Sequence, residues 1–106
     1  MVKGIYKAED NTHTITLEGH ANYGEYGKDI VCAGVSALVQ ALIGWIEENY
    51  DKAECINLDV KGGEVNISCE GGEEVSAVFY MTYIGLAQIA DSYPNHVQID
   101  IIGLAD

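Results

Sequence analysis

The chain has 106 residues, 17 acidic and 5 basic, for a formal charge of −12, and 48% of its residues are hydrophobic. That length holds one domain, residues 1–106, and excludes two comfortable cores; the hydrophobic content excludes a disordered chain. The acidic balance argues against nucleic acid as a direct ligand, since phosphates would be repelled. It suits either simple solubility or encounter with a basic partner.

Residues from about Val2 to Lys7 and from about His13 to Gly19 read as strands joined by the turn-forming Glu9-Asp10-Asn11. In the second strand Ile15 and Leu17 alternate with Thr14, Thr16 and Glu18, so one face is buried. Asn22 to Lys28 carries two glycines and two tyrosines and reads as a mobile loop. From Asp29 to about Asn49 the apolar period turns helical, with Val31, Val35, Leu38, Leu42, Trp45 and Ile46 on one stripe and Asp29 as N-cap. Ala53–Lys61 and Glu64–Glu70 flank Gly62-Gly63 and form a hairpin. Its expected pairs are Lys61 with Glu64, Val60 with Val65, Leu58 with Ile67 and Ile56 with Cys69. Glu73 to about Ser92 is a second helix with Val75, Phe79, Leu86, Ile89 and Ala90 inward, and Pro94 lies beyond its end. Val97, Ile99 and Ile101 mark a last strand. The order β-β-α-β-β-α-β predicts an α+β two-layer sandwich, an antiparallel or mixed sheet with two helices on one face.

No stretch reads as a membrane span, and Met1 to Lys7 reads as a strand rather than a leader. A cytoplasmic protein with reduced thiols is expected. The hairpin register puts Cys55 on the polar face and Cys69 on the apolar one, which speaks against a disulfide between them.

Cys32 stands apart. With Asp29 as N-cap it falls in the first helical turn, where unpaired N–H groups and the helix dipole favour a thiolate and could receive an oxyanion. The flanking Ala33 and Gly34 are small enough for a peptide to approach. Twelve residues upstream, His20 ends a strand beside Gly19. A thiol and an imidazole so placed are the minimal equipment of a cysteine hydrolase. The alternatives are a packed thiol and a surface histidine, and spacing alone leaves them open. His13 and His96 read as surface residues. The lack of paired Cys or His spacing speaks against a metal site, and no cofactor is expected.

Gly19-His20-Ala21, then Gly27-Lys28-Asp29-Ile30-Val31-Cys32-Ala33-Gly34-Val35-Ser36, resembles the ribosomal-processing cysteine protease family, Prp. The resemblance implies a small cytosolic, homodimeric endopeptidase. Its substrate would be the basic large-subunit ribosomal protein numbered twenty-seven, from which it removes a short N-terminal extension. It makes Cys32 the nucleophile and His20 the general base, with Asp29, Ser36, Gly19 and Ala33 near the site. The loop with Tyr23, Gly24, Tyr26 and Gly27 is expected to order around substrate. Two rivals remain: a non-enzymatic acidic module that docks a basic partner, and a thiol hydrolase acting on a small molecule.

Overall fold

The computed structural model describes residues 1–25 and 27–103. Strand β1 (Val2–Glu9) alternates strictly between buried and exposed residues and pairs antiparallel with β2 (Thr12–Glu18). Helix α1 (Ile30–Glu48) follows the loop, then the hairpin of β3 (Glu54–Lys61) and β4 (Glu64–Glu70), helix α2 (Glu73–Ser92) and strand β5 (Val97–Ile102). The five strands form one sheet in the order β3-β4-β2-β1-β5, antiparallel except where β5 runs parallel to β1. This is the expected two-layer α+β sandwich.

Tyr6, Ile15 and Ile67 from the sheet and Phe79 and Leu86 from α2 are fully buried at its centre. Helix α1 buries Val31, Val35, Val39, Leu42 and Ile46, with Leu38 and Trp45 partly covered at the edge of that stripe. The two helices pack closely where side chains are absent: a Cβ on Gly85 would lie 2.7 Å from Leu38 and one on Gly34 3.2 Å from Ile89. By length and composition α1 does meet the test of a membrane-crossing segment, contrary to the sequence expectation. Its buried residues fall on one stripe that joins the core and packs beside α2.

The hairpin pairs as expected from Lys61–Glu64 to Leu58–Ile67, but the register shifts between Cys55 and Asn57. Cys55, not Ile56, lies opposite Cys69. The two thiols therefore share one face and touch, correcting the reading that put them on opposite faces. The physical reason is the position of β3 at the sheet edge. All eight of its residues are exposed, Ile56 at 58%, so no burial rewards keeping Ile56 in register, and edges are where bulges form. Burial pushes the Cys69 thiol well above its ordinary range, and the neighbouring Cys55 adds to that.

Two histidines also depart from the surface role expected of them. His13 sits on the inward face of β2, 4% exposed, with Nδ1 2.8 Å from the Tyr6 hydroxyl and its ring against Phe79. His96, just before β5, is half-buried. In each case the ring found a polar partner inside the fold, which the identity of a lone histidine does not announce.

Candidate active site

The start of α1 is built around Asp29. Its extended backbone (φ −81°, ψ 106°) makes it the N-cap. One carboxylate oxygen accepts from the N–H groups of Val31 (2.9 Å) and Cys32 (3.0 Å). The other accepts from Tyr23 (2.8 Å) and Gly24 (3.1 Å). One buried side chain thus caps the helix and ties down the preceding loop. These donors, the Cys32 N–H foremost, hold its carboxyl below the usual carboxylate range against the opposing effect of burial.

That arrangement corrects one expectation. The N–H groups of Val31 and Cys32 are committed to Asp29, and that of Ala33 donates to the Asp29 carbonyl at 3.0 Å. They do not stand free for an oxyanion. The donor beside the sulfur comes from the other side: the Ala21 N–H lies 3.4 Å from Cys32 Sγ. Cys32 itself is half-buried.

His20 is delivered by the end of β2. Gly19 has φ +98° and its N–H donates to the Gly63 carbonyl at 2.9 Å. A Cβ on Gly19 would lie 2.2 Å from the Met1 carbonyl oxygen, so only glycine fits there. The turn releases His20 from the alternation of β2 and brings it over the β3–β4 turn. A Cβ on Gly63 would stand 2.7 Å from His20 Nε2.

His20 and Cys32 both line an open groove of about 730 Å³ between α1 and the β3–β4 hairpin. Ala33, Ser36, Gly19, Gly24 and Gly27 line it too. Its walls include the apolar Leu17, Val35, Val39, Val60 and Val65 beside the polar Gln40, Lys61 and Glu64. Tyr23 turns the other way and packs edge-on against Tyr93 and His96, with ring centres 5.1 and 5.3 Å apart. Tyr26, also expected in the loop, lies outside the described residues. Among the described residues no three His, Cys, Asp or Glu side chains gather as a metal site would require. Sequence reasoning missed Gly63 and His96, both far from residues 19–36 in the chain; the positive φ a Gly-Gly hairpin turn demands was the only signal for the first.

A thiol at a capped helix start and an imidazole from an adjacent strand end, both facing one open groove, are the parts of a cysteine-type peptidase. The model of the cysteine protease Prp family matches residues 1–98. The ribosomal processing cysteine protease Prp of Staphylococcus aureus is 33% identical over 98 residues, covering 87% of this chain and 89% of that one. That of Mycoplasma genitalium is 33% identical over 96 residues, covering 91% and 95%. Among solved structures, S. aureus Prp with a covalently linked product peptide superposes with a TM-score of 0.82 at 25% identity, covering 95% of this chain and 99% of that one. The chain belongs to the Prp cysteine protease family and has its two-helix, five-stranded fold.

Proposed function

We propose that this peptidase processes a ribosomal protein, removing the short N-terminal extension of the large-subunit protein numbered twenty-seven, with Cys32 as nucleophile and His20 as general base. The observation that carries the reading is the shared groove of His20 and Cys32. It opens to solvent and is lined from α1, the loop before it and the β3–β4 turn, which admits a peptide rather than enclosing a small molecule. The names of the S. aureus and M. genitalium relatives support the ribosomal substrate. So does the charge of −12, which favours a basic partner. The valines and Leu17 in its lining offer apolar contact to substrate side chains. The same reading makes the enzyme cytosolic and homodimeric; the exposed Tyr80, Met81 and Ile84 of α2 are apolar surface a second copy would cover.

In the chemistry we propose, His20 takes the Cys32 proton and the thiolate attacks the scissile carbonyl carbon. The carbonyl electron pair moves onto oxygen, and the Ala21 N–H, already beside the sulfur, donates to that oxyanion. As the intermediate collapses, the C–N bond breaks and His20 protonates the leaving amine. Water activated by His20 then releases the acyl-enzyme. Asp29 is structural here, since its four hydrogen bonds occupy it fully.

The test is intact-mass spectrometry of the unprocessed ribosomal protein after incubation with enzyme, Cys32→Ala and His20→Ala. The expected result is one N-terminal cut, lost with Cys32→Ala and reduced at least about a hundredfold with His20→Ala. A stable complex without cleavage would favour the acidic docking module instead.

A further inference from the structure

We infer that His96 is a positioning residue for the reaction, holding residue Ala21 in place against Cys32. The inference rests on Cys32 and His20 being the reacting pair. Ala21 is 1% exposed, and both of its backbone polar groups are used. Its N–H meets Cys32 Sγ at 3.4 Å, and its carbonyl oxygen lies 2.8 Å from His96 Nδ1. A carbonyl can only accept, so Nδ1 carries the hydrogen and donates.

His96 is well mounted for this task. Its N–H donates to the Tyr93 carbonyl and its own carbonyl accepts from Val2, both at 2.9 Å. The first bond ties it to the end of α2, the second to β1. Its ring stands at 85° to that of Tyr23, and Tyr23 stands at 76° to Tyr93. Both sides of residue 21 are therefore tethered: His20 by the Gly19–Gly63 bond, Tyr23 by these rings and by Asp29. Among the described residues, His96 supplies the hydrogen bond to the carbonyl of residue 21, whose N–H lies beside the sulfur. Catalytic groups placed a fraction of an ångström wrongly lose much of their effect.

The competing view is that His96 merely satisfies a buried carbonyl and fills space. Two substitutions separate donor from bulk. His96→Asn keeps an N–H near the position of Nδ1 and loses the ring. His96→Phe keeps the ring against Tyr23 and loses the donor. Steady-state cleavage, thermal midpoint and the iodoacetamide alkylation rate of Cys32, read by peptide mass mapping, would be measured for each.

With His96→Phe we expect kcat to fall about tenfold or more, KM to stay within about twofold, and Cys32 alkylation to slow. With His96→Asn we expect kcat within about threefold of the parent. Equal losses in the two variants, or a parental kcat and alkylation rate in His96→Phe, would overturn the inference, whatever happens to the midpoint. If His96→Phe does not fold, His96→Ala, which adds no atom, takes its place under the same criteria. If the parent enzyme leaves the ribosomal precursor uncut, the substrate assignment is at fault. The alkylation comparison, which uses no substrate, then decides the role of His96.

Discussion

At the scale of single residues, the buried polar pair Tyr6–His13 shows how an unremarkable sequence position acquires consequences. Both groups lie against Phe79, Tyr6 also against Tyr83, and both favour their neutral forms. Burial, with a lesser contribution from Tyr80, raises the Tyr6 hydroxyl from 10.0 to about 12. Burial lowers His13 from its ordinary 6.5. The raised tyrosine contributes stability that is complete below pH 10 and lost as pH climbs through its folded value. The lowered histidine contributes stability that is complete above 6.5 and lost as pH falls toward its folded value. Each can change stability by at most about 1.4 kcal/mol per pH unit within its window. In urea titrations across pH, the parent should lose stability as pH rises above 9, where the buried Cys69 thiol, raised from 9.0 to about 12, begins to contribute, and more steeply above 10; Tyr6→Phe should keep only the shallower Cys69 part of that fall. An identical fall in Tyr6→Phe would assign it to another group.

At the scale of elements, the β3–β4 hairpin does more than extend the sheet. Its turn accepts a hydrogen bond from Gly19 and lies under His20. Gly63 has φ +78°, whereas Gly62 has neither a positive φ nor any atom within 4 Å of a built Cβ. Gly63→Ala should therefore push the His20 ring aside and strain the turn by about 1–2 kcal/mol, with kcat falling at least about tenfold. Gly62→Ala should be nearly neutral in both respects. Similar kinetics for the two alanine variants would disconnect the turn from the site. The bulge at Ile56 belongs to the same element: an edge strand with every residue exposed has little burial to hold its register, so Cys55 slips opposite Cys69.

At the scale of the whole molecule, the acidic charge is barely offset. Lys7, Lys28, Lys52 and Lys61 each sit within ion-pair distance of a carboxylate. Those pairs are largely exposed and add little stability, but they leave the field of the molecule to the remaining carboxylates. For a basic protein substrate, kcat/KM should fall about tenfold between low and roughly physiological-to-high salt, as steered encounters do. A short uncharged peptide spanning the same cut should show a much flatter dependence. Equal salt slopes for the two would mean that charge plays no part in encounter.

Much of this molecule follows from local pattern. The period of 2 in β1 and β2, the period near 3.6 in both helices, the Asp29 cap and the Gly-Gly turn each act within a few residues, so they were legible one segment at a time. The motif from Gly19 to Ser36 carried the family in the same way. What the tertiary structure decided involves partners distant in the chain. His13 lies inside because Tyr6 and Phe79 surround it, and Cys55 shares a face with Cys69 because β3 is an edge. His96 reaches Ala21 across 75 positions. Side-chain direction and hydrogen-bond commitment depend on what packs alongside, and only the folded chain brings those neighbours together.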